Sequence, residues 1–167
     1  LTFLQRTQNN SETNDQKWAG NDGGFVYYPG FSYHTDGGTK SYGSVSYAGI
    51  LSYSWANVKK DDDRVKAVSK WIRENYTVDE NPGMGQKTVY YYYMVFARAL
   101  QALGRDEIPD FRDQSIKHNW RVELVAQLAQ LAQPNGSWAN EADRWNEGSP
   151  TLVTCYCVMA LEDVLKK

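Results

Sequence analysis

A Gly-aromatic turn recurs between the helical stretches of this chain. The first is Asp22-Gly23-Gly24-Phe25 and the last is Gln133-Pro134-Asn135-Gly136-Ser137-Trp138. Each is followed, after a polar loop, by a stretch rich in small and aromatic residues with helical spacing. Turn-plus-helix units that repeat cannot bury their apolar faces alone, so they stack as helix pairs. A chain of 167 residues is long enough to close one core from such pairs.

Apolar periodicity places the helices. Leu1 to Thr7 reads as the tail of a helix, and Gly23 to Gly30 as a short extended piece or tight loop. Helix one spans about Tyr42 to Val58, with Val45, Ala48, Gly49, Ser52 and Trp55 on one face. An interior glycine costs about 1 kcal/mol, so Gly49 implies close helix approach. Asp61-Asp62-Asp63 stands where acids satisfy free amides at a helix start. Helix two, Arg64 to Asn75, turns Val65, Val68, Trp71 and Ile72 inward. Helix three, about Thr88 to Leu103, carries the stripe Val89, Tyr93, Phe96, Leu100 and Leu103 before Gly104 stops it. Tyr90 to Tyr93 wraps its first turn, which calls for apolar neighbours nearly all round. Ile108 to Lys117 reads as a polar link. Helix four, about Trp120 to Ala132, buries Leu124, Leu128 and Leu131, with Val125, Ala129 and Ala132 widening the apolar sector. Helix five, about Pro150 to Leu165, buries Leu152, Val153, Tyr156, Cys157, Met159, Ala160 and Val164.

Helices one, three and five are small or aromatic on several sides, whereas two and four keep a charged face. Inner helices touch neighbours nearly all round and outer ones keep a wet side. The pattern predicts an all-α domain over residues 1–167: antiparallel inner and outer helices with Gly-rich loops, curved into part of a toroid.

Acidic residues outnumber basic ones 20 to 18, for a net charge of −2, which gives no basic stripe for nucleic acid. No apolar run approaches the roughly 20 residues that span a bilayer, so the chain is expected to be soluble. A periplasmic or extracellular setting is compatible with that, and the compartment stays open. The chain starts without Met and reads as a segment of a longer protein or a mature form. Cys155 and Cys157 lie two apart on a helix, where side chains diverge, so no disulfide is expected.

The turns carry a resemblance. Asp22 to Phe25 and Gln133 to Trp138 resemble the Gln/Gly/Trp repeats of squalene-hopene cyclases and related α/α-toroid proteins. Ser41-Tyr42-Gly43-Ser44, the block from Tyr76 to Gln86, Tyr90 to Tyr93, His118-Asn119-Trp120-Arg121 and Asn135 to Trp138 look like the bacterial prenyltransferase/squalene-oxidase-repeat proteins. The resemblance runs from about Asp22 to Leu161. It implies a partial α/α toroid, because a complete one needs more helices than this chain supplies. A partial ring leaves helix faces to pair with the remainder of a parent protein or with a second copy. The pattern departs from the family at its chemistry. Asp61-Asp62-Asp63 lacks the context of the cyclase Asp-x-Asp-Asp acid. The two histidines, His34 and His118, with Cys155-x-Cys157 do not supply a prenyltransferase zinc set. No metal or cofactor is expected. The last repeat is also one residue shorter than the family's Gln-to-Gly spacing.

A pocket, if formed, belongs where the long loops meet the inner helix ends. Tyr47, Tyr90, Tyr91 and Tyr93 are candidates to line it, since aromatic faces stabilise cations; helix-spaced tyrosines also serve as plain core. His118 is a further candidate, an imidazole for which the sequence marks no partner. Trp120 and Arg121 offer a guanidinium over a ring, or a stem that covers apolar surface. Trp138 and Trp145 flank a loop and suit an isoprenoid or sugar platform, or repeat anchoring. Three functions follow. The first is a terpenoid cyclase or prenyltransferase-like domain that binds an isoprenoid or other apolar ligand, its catalysis left open because no buried acid is evident. The second is a non-catalytic interaction scaffold. The third is a carbohydrate-binding or processing toroid, which needs facing carboxylates or a carboxylate-bound cation.

Overall fold

A computed structural model describes residues 1–166. It contains six helices: α1 Thr2–Arg6, α2 Gly43–Trp55, α3 Asp63–Glu74, α4 Val89–Ala102, α5 Trp120–Leu131 and α6 Pro150–Leu165. The polar link expected at 108–117 is bounded instead by a small antiparallel ladder, β1 Glu107–Pro109 with β2 Lys117–Asn119. The domain is therefore predominantly helical, not strictly all-α. Ile108 is the reason the ladder forms here: it is buried at the centre of β1 opposite His118.

The core is built on α4, which packs against α2 and α6; α3 lies against α2, and α5 touches both α4 and α6. Val89, Tyr93, Phe96, Leu100 and Leu103 are all buried, along with Tyr90, Tyr92 and Val95. The tyrosine run is tolerated inside because the phenols find acceptors. Tyr92 donates to the Thr77 carbonyl at 2.7 Å and Tyr93 to the Val78 carbonyl at 2.8 Å. Both acceptors sit in the segment between α3 and α4, so the helix fixes its own approach loop. Two helices turn differently from the sequence expectation. In α2 the buried sector is Tyr47, Ile50, Leu51 and Tyr53, and Trp55 is exposed. In α5, Trp120, Leu124 and Leu128 face inward, while Val125, Ala129 and Ala132 face outward. On α6, Val153, Cys157 and Ala160 are buried, with Leu152, Tyr156 and Met159 only half-buried.

Capping chemistry sets the ends. Asp62 accepts from the Arg64 amide at 3.0 Å and opens α3, as the aspartate triplet predicts. The Asn81-Pro82-Gly83 turn binds two helix starts together. Asn81 is fully buried; its oxygen accepts from the Ser44 amide of α2, while its amide group donates to Thr88 at the threshold of α4. Pro82 accepts the Gly43 amide at 2.8 Å. The first turns of α2 and α4 therefore lie side by side.

Candidate functional site

These two helix starts form the floor of a half-open cleft of about 250 Å³. Ser44 and Val45 come from α2, Tyr91 from α4 and Tyr156 from the second turn of α6. The long Gly-rich loops supply the rest: Tyr27, Tyr33 and Tyr42 from the first, Met84 and Thr88 from the second, Trp145 and Glu147 from the loop before α6. A pocket where loops meet helix ends is what the sequence leads one to expect.

The rings form walls rather than a stack. Tyr33 and Trp145 meet edge-to-face at 5.1 Å and 77°, Tyr27 and Tyr33 at 4.8 Å and 62°, Tyr91 and Tyr156 at 5.8 Å and 66°. Such pairs are the geometry the ring quadrupoles prefer. Three of the walls are exposed to solvent, Tyr27, Tyr91 (37%) and Trp145 (41%). Exposed aromatics gathered in one place mark an interaction site more often than scattered ones do.

Glu147 is the group that sequence reasoning missed. It is 1% exposed, although it borders the cleft. Its carboxylate accepts from the Tyr91 amide at 2.8 Å, more weakly from the Tyr90 amide at 3.4 Å, and from the Asn140 side-chain amide at 2.8 Å. Glu147 thus caps α4 from another part of the chain, where Thr88 provides no side-chain cap. Burial pushes the carboxyl above its ordinary range, opposed by Asn140 and by the α4 amides.

Backbone strain concentrates here. Four non-glycine residues take a positive φ among the described residues. Two of them, Thr88 (57°) and Trp145 (62°), line this cleft, and a third, Asn146 (67°), stands between the lining residues Trp145 and Glu147. A β-branched or bulky residue in the left-handed region is a true outlier. Strain of this kind, of order 1–3 kcal/mol per residue, persists only where the surroundings enforce it, and it clusters at ligand sites. The surroundings are visible. Asp143 accepts the Gly148 amide at 2.7 Å, Asn140 donates to the Gln86 carbonyl at 2.7 Å, and the Glu147 carbonyl accepts the Asn140 amide at 2.9 Å.

Of the nine residues singled out from sequence, the cleft takes Tyr91 and Trp145. Tyr47, Tyr90 and Tyr93 are interior packing instead, because α4 and α2 turn them inward. Tyr47 is fully buried, its ring against Tyr92 and Phe96, and burial raises its phenol pKa. Trp120 is fully buried and donates to the Arg105 carbonyl at 2.5 Å. Arg121 lies over the Trp120 ring at 4.4 Å and donates to the last carbonyls of α6 at Asp163 and Val164. Trp138 anchors its turn through the Leu128 carbonyl at 2.8 Å. These are structural duties.

His118 has partners that its sequence neighbourhood does not announce. One ring nitrogen lies 3.2 Å from Glu123, the other 3.3 Å from Asp110, and the ring stacks on Tyr76 at 4.4 Å. Tyr76 in turn donates to Glu123 at 2.9 Å. Both imidazole nitrogens face carboxylates, so the cluster ties the β1–β2 ladder to α5. No group of three or more potential metal ligands converges among the described residues.

No protein-family model matches the chain, and no curated protein or solved structure matches it.

Proposed function

We propose that this domain binds a compact, largely apolar ligand in the aromatic cleft between the starts of α2 and α4. The observation that carries this reading is the convergence of exposed aromatic walls and strained backbone on one half-open cavity. A volume of about 250 Å³ falls just under the range of drug-sized sites. A short isoprenoid suits it, whereas a triterpene-sized chain exceeds it. The cleft supports binding more than acid catalysis. Both Glu147 oxygens already accept amide protons, and the carboxylate so held serves α4. Glu147 is also the single carboxyl on the cleft, which offers no glycosidase-like pair. Calorimetric titration with geraniol, a short isoprenoid alcohol, tests the reading. Saturable binding that Val45→Trp abolishes supports it. Binding that survives plugging of the cleft, or no binding at millimolar ligand, overturns it.

A second reading, association with a further helical surface, has its own observation. The outer side of α5 presents Val122 (64% exposed) and Val125 together with Ala126 and Ala129. That is an apolar stripe where an outer helix would carry charge. Light scattering across concentration, with Val122→Lys as control, distinguishes self-association from a solitary chain. Among the described residues no helix is long and apolar enough to cross a membrane.

A further inference from the structure

The cleft has a charge problem that an apolar ligand alone leaves unsolved. Glu147 is buried, yet its partners are neutral amides, and no cation contributes to holding its charge among the described residues. A buried carboxylate ordinarily has a cationic partner. The aromatic walls next to it are built for one. Arg144, from the same loop, already lays its guanidinium 4.3 Å from the Trp145 ring and 5.5 Å from the Tyr33 ring. These rings thus hold a cation in the resting protein.

Resting on the binding reading above, we infer that the ligand's head group is an alkylated ammonium, enclosed by Tyr33, Tyr91, Trp145 and Tyr156 and balanced by the Glu147 carboxylate. Two alternatives are weaker on the same geometry. An anion would be drawn by the helix starts, but the α4 start is neutralised by Glu147 and the α2 start is capped by Asn81. A bare ammonium, strongly hydrated, needs several acceptors, and the Ser44 and Thr88 hydroxyls on the lining already accept from Asn81. Methylation spreads the charge, weakens hydration and lets ring faces replace water, which is how aromatic cages recognise such cations.

The test compares choline with 3,3-dimethyl-1-butanol, which has the same shape with carbon in place of the charged nitrogen. Calorimetry on the folded chain is expected to show choline at least tenfold tighter. Tyr91→Leu weakens choline more than the alcohol. Arg144→Gln, a change at an exposed side chain, tightens choline by removing the resident cation from the Trp145 and Tyr33 rings. Glu147→Gln brings the two ligands toward equal affinity, and where that variant fails to fold the Arg144→Gln and Tyr91→Leu results decide. Equal or tighter binding of the alcohol overturns the ammonium assignment and leaves the apolar pocket standing. Binding of neither also overturns it, and the geraniol titration then judges the pocket separately.

Discussion

The backbone N–H of Tyr91 donates to the Glu147 carboxylate at 2.8 Å, joining the first turn of α4 to a loop 56 residues further along the chain. The contact does for α4 what an N-cap side chain normally does. Glu147→Ala therefore strands buried amides, and a loss of about 1–3 kcal/mol is expected in urea denaturation. The same contact has a pH signature. Burial leaves the folded carboxyl above its ordinary 4.5, so the folded state holds this proton more tightly than the unfolded chain does. The stability it contributes is full below that ordinary value and is lost as pH rises through the raised one. The difference in unfolding free energy between wild type and Glu147→Gln should fall across that window and flatten above it. A difference that grows with pH would mean the amide donors outweigh burial.

Gly49 is close to a ring, not to another helix. A Cβ there would lie 2.6 Å from the Phe25 side chain. Phe25 cannot retreat easily, because it is buried, its amide donates to the Ser46 hydroxyl at 3.0 Å, and its ring packs edge-on against Tyr53. Gly49→Ala gains about 1 kcal/mol of helix propensity and meets an overpacking cost of about 1–3 kcal/mol. Net destabilisation of about 1 kcal/mol is expected by thermal and urea unfolding. Phe25→Leu in the same chain should recover part of it, and the double-mutant cycle measures the coupling. Strict additivity of the two changes would place the ring contact elsewhere.

What the sequence conveys and what it withholds divide along the range of the interactions. The α3 start at Asp62, the stop after Leu103 and the inward stripe of α4 are encoded within a few residues, so periodicity and cap chemistry reveal them. The faces of α2 and α5 were harder. Small residues such as Ala129 suit an interior and a surface alike, and Trp55 gives no sign of which side is wet. The cleft is the least legible part. Tyr91 and Trp145 stand out as aromatics, but Glu147 is one glutamate in a polar loop, and nothing local ties it to α4. The Gly-rich stretch holding Tyr27 and Tyr33 was the available signal, since loops of that length commonly carry function.

The two thiols should behave differently. Cys155 is exposed on α6, while Cys157 faces the core. Burial pushes the Cys157 thiol up to about 12, far from the thiolate that reacts. A thiol-titrating reagent at neutral pH should modify one equivalent quickly and the second only with denaturant. Two fast equivalents would show that α6 detaches from α4 under native conditions.

Trp145→Gly separates stability from binding. The indole is held at a φ of 62°, a conformation that costs an ordinary residue about 1–2 kcal/mol and glycine nothing. Glycine brings its own entropic cost of roughly 0.5–1 kcal/mol on folding. The mutation also forfeits the edge-to-face contact with Tyr33 and the Arg144 stack, both at a part-exposed site. These terms nearly cancel, so the unfolding free energy should stay within about 1 kcal/mol of wild type. Ligand affinity should not. The variant removes one wall of the cleft, and at least a tenfold loss is expected in calorimetry with geraniol or choline. If affinity instead holds while stability drops, the strained indole serves the fold and the cleft has been assigned to the wrong residues.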